Sequence, residues 1–531
     1  MRCFYQTAQF FEKRNTLLLT PDVLLSTNRN HQMNLPKYIV TLLATLLFVL
    51  LFFEKSLGLN VAIYGVVTTL LLVVFKTSLF HAFLPKVVGT GFLATSIVYY
   101  LFASPFTLFV HILSFLLLVG LHSQPLIRNL LYAFVNAFAI YRAAVADFLN
   151  SFRSRKKRKV SLGFGKIVRI VFLPFFVILL FLALYSMGSS FFSDAVGSIG
   201  EIVGRFCSKI LNYVNIEAVF VALLGLVFAV IHSLQYHASS LSQEDAAKSN
   251  ILSRVRHKTF RRFRNMDLAT EYKSSVFLLV SLNGMLAILL YLEITHVWVG
   301  FEWGGELLKE LVHEGTYVLL IAILVSMGIT LYFFRKNLNF YAKNKALKVL
   351  AYIWLGFNAL LVISVGVRTF YYIEFFGLAY KRIGVLFFLV ACLIGLGTLM
   401  YKVAKTKSIY YVVRVNAFAV YIILLAVCTV NWDSIIARYN FSHYRSSFIH
   451  LPFMSNLSDK VLPYLQLTDE QVLTIEAKQV EEIPFAKRGY FKDVDYQNKI
   501  ATRIRKFKKK QKDRHWLESV WAEDKAYQTL E

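Results

Sequence analysis

An all-α polytopic transmembrane helix bundle of about eleven spans, followed by a small C-terminal soluble appendage, is the fold class this sequence predicts. Three observations carry it. The chain is 57% hydrophobic and 16% aromatic over 531 residues, with a mean hydropathy of +0.55, too apolar for a water-soluble protein with one buried core. Apolar runs of spanning length recur along it: a hydrocarbon core about 30 Å thick asks for roughly twenty such residues, and Ala218 to Leu234 and Thr316 to Phe334 approach that without a charge. Finally, the loops between the runs are basic at alternate turns, the pattern that orients helices in a bilayer.

Taken in order, residues 1–35 read as a polar N-terminal extension, and Met33-Asn34-Leu35-Pro36-Lys37 has the look of a start of its own with a basic lead into a helix. The first apolar run ends in Phe52, Phe53 and Glu54 without a small-residue cleavage site, so it is expected to be retained. Spans are predicted at Tyr38 to Phe53, Leu57 to Phe75, Val87 to Ala103, Pro105 to Leu121, Ile167 to Met187 and Ala218 to Leu234. Five more follow at Ser274 to Leu292, Thr316 to Phe334, Val349 to Val367, Ile383 to Tyr401 and Val412 to Val430, which makes 36–430 the bundle.

Two further helical segments are read as interfacial. Phe191 to Tyr213 places its apolar residues on one face. Leu126 to Leu149 is interrupted by Arg128, Asn129, Asn136, Arg142 and Asp147, and a crossing there would put the cluster RSRKKRK, Arg153 to Lys159, on the outer side.

The net charge of +27 would otherwise raise nucleic acid as a partner, but the basic residues sit in short loops beside apolar helices. Arg153 to Lys159, Lys248 to Lys273, Arg335 to Lys348 and Lys402 to Arg414 all fall on one side of an eleven-span bundle. The positive-inside rule places that side and the N-terminus in the cytoplasm, with anionic lipid headgroups as partners of the basic loops, and puts the C-terminus outside. Residues 431–531 carry 17 basic and 14 acidic side chains, too balanced to dictate a side, and include the run RIRKFKKKQKDR, Arg503 to Arg514.

Chemistry is harder to place. The four cysteines, Cys3, Cys207, Cys392 and Cys428, form no CxxC pair, and no nucleotide-binding, zinc-hydrolase, serine-hydrolase or kinase motif occurs, so no cofactor, metal or catalytic set is expected. The strongly polar residues inside the spans are His111, His232, Asn283, Asn358 and Asn416, read as interhelical hydrogen-bonding groups. No Asp or Glu sits in the middle of a span, which weakens ion-coupled transport.

Candidate sites therefore lie at the outer turns. Glu302, Glu306, Glu310 and Glu314 recur every four residues, a carboxylate stripe that repels itself and favours a cationic partner such as the basic run of the appendage. Between the ninth and tenth spans, Arg368 and Tyr372, and Tyr371 and Glu374, have spacings that bring each pair to one helix face. Lys381 and Arg382 defy the positive-inside trend, which points to pairing with Glu374 or an anionic ligand, beside the plainer reading of the Tyr and Arg side chains as interfacial anchors. At the exit of the last span, Asn431, Asp433 and Arg438 complete the polar set, and Trp432 fits an aromatic belt.

The segments YIEFFGLAYKRIGV (Tyr372 to Val385), LVHEGTYVLL (Leu311 to Leu320) and NWDSIIARYN (Asn431 to Asn440), in that arrangement, resemble bacterial multi-pass inner-membrane proteins of a domain-of-unknown-function family (DUF4153 or DUF4173 type). The resemblance spans about Leu57 to Leu465 and implies a bacterial inner-membrane location, with no activity to carry over. The expectation is a non-enzymatic envelope protein that transports or senses a small or lipidic ligand. The alternative is a membrane-embedded transferase at the outer face, with Glu54, Glu302 or Glu374 as general base.

Overall fold

The computed structural model describes residues 37–151, 215–233, 239–254, 268–299, 315–482 and 496–530. The N-terminal extension, the span at Ile167 to Met187, the amphipathic Phe191 to Tyr213, the RSRKKRK cluster and the stripe Glu302, Glu306, Glu310 and Glu314 lie outside the described residues. Among those described the chain is helical without strands, apart from one isolated bridge between Ile251 and Lys407.

Helices α1 (Lys37–Phe52), α2 (Leu59–Phe75), α3 (Phe83–Phe102), α4 (Pro105–Ser123), α5 (Leu130–Ser151) and α6 (Ile216–Ser233) precede a short α7 (Ser239–Ala247). They are followed by α8 (Leu268–Glu293), α9 (Thr316–Phe333), α10 (Lys345–Phe376), α11 (Tyr380–Ala404) and α12 (Ile409–Cys428). Among the described residues, seven helices, α3, α4 and α8 to α12, are long and apolar enough to cross a membrane. Their outward faces are greasy, with Phe277 75% and Ile288 65% exposed on α8, surfaces that only lipid can cover without cost. The chain is a multi-pass membrane protein. Helices α1 and α2 and the apolar parts of α5 and α6 are shorter.

The bundle packs as two lobes. One gathers Leu72, Phe92, Phe115, Leu118 and Ala133 from α2 to α5; the other gathers Leu286, Ile323, Leu355 and Leu396 from α8 to α11. Helix α12 belongs to both, giving Tyr421 to the first and Val412 to the second. Beside the first lobe, α1 and α6 meet through Phe48 and Phe228, whose rings stack at 5.2 Å, with Tyr64 edge-on to both.

Helix α5 occupies most of Leu126 to Leu149, the segment read as interfacial, and is not among the seven helices of spanning length and apolarity. It turns back along α4, with Ala133 and Ala137 fully buried. Gly120 permits the approach, since a Cβ there would stand 1.8 Å from the Ala133 carbonyl oxygen. The polar residues that seemed to interrupt a span serve the hairpin: Asn136 donates to the Gly120 carbonyl at 2.7 Å and to Ser123 Oγ at 2.9 Å, and Asn129 caps the first turn through the Leu131 amide at 3.0 Å. Arg128 donates to backbone carbonyls at the end of α7 and pairs with Asp245.

The C-terminal segment is seated on the bundle. Helices α13 (Trp432–Ser442), α14 (Leu451–Met454), α15 (Leu462–Leu465), α16 (Asp469–Glu482), α17 (Tyr496–Lys512) and α18 (Trp521–Leu530) enclose a core of Ile436, Met454, Leu462, Ile500 and Phe507, to which α11 adds Ile383. The basic run of α17 is partly spent inside this cap: Arg503 donates to the Ser455 and Leu457 carbonyls, and Arg514 pairs with Glu523 and Asp524. The cap also reaches the α1–α2 turn, where Glu518 Oε1 accepts from the Ser56 amide at 3.1 Å.

Candidate functional site

Helix α10 runs for 32 residues, about 48 Å at 1.5 Å per residue, so it continues well past the point where a span was expected to end. Arg368 is consequently a helical residue and not part of an outer loop. A guanidinium at that depth needs a counter-charge, and Glu293, the last residue of α8, supplies it. Arg368 Nε donates to Glu293 Oε2 at 3.0 Å, a second guanidinium nitrogen donates to Oε1, and the two side chains are 9% and 5% exposed. Ser364 Oγ donates to the same carboxylate at 2.6 Å and accepts from Trp298 Nε1 at 3.2 Å.

A second buried pair lies within the cap and is tied to the bundle by the further hydrogen bonds of its two members. Lys460 Nζ lies 2.6 Å from Asp433 Oδ2 and donates to the Phe102 carbonyl at 2.7 Å, leaving the side chains 4% and 11% exposed. Asp433 also accepts from Ser458 Oγ at 2.5 Å and from the Tyr380 hydroxyl. One carboxylate thus gathers the end of α3, the start of α11, the first turn of α13 and the cap.

Between these pairs lies the α10–α11 turn. Gly377 adopts φ 74°, where an L side chain is strained, and Asn440 of α13 fills the space a Cβ would need, accepting from the Leu378 amide and donating to the Leu378 carbonyl. Arg382 donates to the Phe376 and Gly377 carbonyls and lies over the Tyr372 ring at 4.4 Å, so it caps α10. Nearby, His450 Nδ1 accepts from the Phe453 amide at 3.0 Å, and burial, reinforced by the Arg382 charge, pushes its pKa below the ordinary imidazole value.

The predicted residues are therefore close together but paired differently from the sequence reading. Arg368 turns to Glu293; Tyr372 receives Arg382; Asp433 takes Lys460, while Arg438 stacks over Tyr464 at 4.7 Å and donates to its hydroxyl. Asn431 is the N-cap of α13. Glu54, Glu374 and Lys381 are exposed, and Tyr371 is half-buried. Glu293, Lys460, Tyr380 and Ser458 were missed. The signal for Glu293 was its position one residue beyond a predicted span, level with an unexplained arginine; Lys460 had none.

Inside the bundle, His111 Nδ1 lies 3.0 Å from Thr95 Oγ1 and its ring stacks on Phe92. Asn283 donates to the Leu350 carbonyl at 3.1 Å, while Asn358 and Asn416 bond within their own helices. The side chain of His232 lies outside the described residues. Lys402, counted as a loop residue from sequence, is fully buried and donates to the Phe334 carbonyl.

Two clefts open where α12 meets the first lobe. One, of about 340 Å³, lies between Thr90, Ala94 and Thr95 of α3 and Leu425 and Cys428 of α12. The other, of about 400 Å³, lies near the opposite end of α12, between Phe83, Leu126, Phe418 and Arg414. Both walls are mainly apolar, whereas Arg368, Arg382, Asn431 and Asp433 are taken up in ion pairs and helix caps.

A family model described as "Domain of unknown function (DUF4153)" matches residues 39–467. No curated protein and no solved structure matches the chain.

Proposed function

Because this chain belongs to the DUF4153 family of domains of unknown function, we propose its role from the geometry: a non-enzymatic envelope protein that binds a lipidic ligand where α12 meets the first lobe, as a sensor or transporter. The observation that carries this is the pair of apolar clefts flanking α12, the helix both lobes share. Amphiphiles enter such clefts laterally from the bilayer. The alternative, a transferase at the outer face, calls for a free acid in a polar cavity; Glu54 and Glu374 stand instead on the exposed surface.

On the same reading the protein lies in a bacterial inner membrane with about eleven crossings. The side rich in Lys and Arg faces the cytoplasm, and residues 431–531 form a capping domain outside. Native mass spectrometry of the full-length protein with lysophosphatidylcholine tests the binding role. Stoichiometric adducts are expected, weakened about tenfold by Ala94→Trp, which fills the α3–α12 cleft. Adducts indifferent to that substitution, or none at all, would count against it.

A further inference from the structure

We infer that the cleft around Arg414 is a site for an anionic phospholipid of the leaflet opposite the cap. The inference rests on the lipid-binding reading and names the ligand of one of its two clefts. Arg414 lies little more than one turn inside α12 and makes no hydrogen bond or ion pair among the described residues. A half-buried guanidinium at that level of a spanning helix gains from an anionic partner. The cleft it borders has a second guanidinium, Arg128, and no carboxylate among its lining residues. Arg128 is matched by Asp245, so Arg414 supplies the unmatched charge.

Two helices also begin at this cleft, α3 at Phe83 and α5 at Leu130, and the partial positive charge at their first turns favours an anion in the same place. Phe83, Leu126 and Phe418 form the remaining wall, and Phe83 and Leu126 are 66% and 84% exposed, an apolar surface suited to acyl chains. A phosphodiester at Arg414 with its tails along these side chains satisfies both halves of the site. Inorganic phosphate satisfies only one. The Lys and Arg content of the loops at this end brings anionic lipid to the mouth of the cleft.

The test is native mass spectrometry of the full-length protein titrated with phosphatidylglycerol and with phosphatidylcholine of identical chains. Phosphatidylglycerol is expected to bind about tenfold more tightly, with the preference lost in Arg414→Gln and retained in Arg414→Lys. Val415→Trp, which fills the cleft and leaves the charge, should lower phosphatidylglycerol binding as well. Inorganic phosphate at millimolar concentration should not displace the lipid; displacement would assign the site to a free anion and overturn the proposal. Equal binding of the two lipids, or a preference unchanged in Arg414→Gln, would also overturn it. Survival of the Ala94-sensitive lysophosphatidylcholine adducts in that case would show the broader lipid-binding reading to be intact.

Discussion

Lys460 and Asp433 pair inside the cap and reach the bundle through the Phe102 carbonyl and the Tyr380 hydroxyl. Removing one member of a buried pair leaves the other charged and unsolvated, at a cost of about 3–5 kcal/mol, whereas replacing both with apolar groups of similar size costs much less. Lys460→Ala is therefore expected to release the cap to protease far more readily than Lys460→Met combined with Asp433→Leu, as followed by limited proteolysis of the full-length protein. His450 makes a second prediction. Its folded pKa is depressed, so the neutral form is the one the fold prefers; the contribution is fully present above the ordinary imidazole value and is lost as pH falls through the folded one. Cap protection should decline on acidification, and less so in His450→Asn, which keeps an acceptor for the Phe453 amide. The residue types at the α10–α11 turn were legible because charges beside apolar runs stand out. Their partners were not: Glu293 and Arg368 lie 75 residues apart, and spacing along a chain carries no information about which helices become neighbours.

Helix existence could be read from the apolar runs, and helix ends could not. Ending each span at its first charge placed Glu293, Arg368 and Lys402 in loops, although α8 reaches Glu293 and α10 and α11 continue through Arg368 and Lys402, because each charge finds an oxygen or a cation inside the bundle. In the α4–α5 hairpin, the polar residues that interrupt the apolar pattern serve a turn and a close helix contact, which spacing alone does not reveal. Gly120→Ala puts a methyl group against the Ala133 backbone and should destabilise the first lobe by at least about 1–3 kcal/mol, the usual cost of overpacking. Thermal unfolding in detergent compared with Gly284→Ala, where nothing lies within 4 Å, measures it.

At the scale of the molecule, the α1–α2 turn, the end of α3, the α10–α11 turn and the exit of α12 share the face covered by the cap. The opposite face gathers the α4–α5 turn, α7 and the α11–α12 turn, tied by Arg128 to Asp245 and by Ser408 to Asn250. This grouping was foreseeable from the alternation of basic loops; the seating of the last hundred residues was not, since their near-balanced charge gives no hint of what they touch. Compartment-specific reporters fused after Glu531 and within the α11–α12 turn should report opposite sides. Agreement between them would remove the argument for an outer cap.

The bond from Lys460 to the Phe102 carbonyl spans 358 residues. During synthesis, the first lobe must therefore wait, its cap-side turn uncovered, until nearly the whole protein has been translated. Closure of the cap then marks completion, and a ribosome that stalls after Cys428 leaves a product lacking that mark. Pulse-chase comparison of such a truncated chain with the full-length protein should show faster turnover of the shorter one, with membrane proteases reading an unfinished lid as a sign of failed biogenesis.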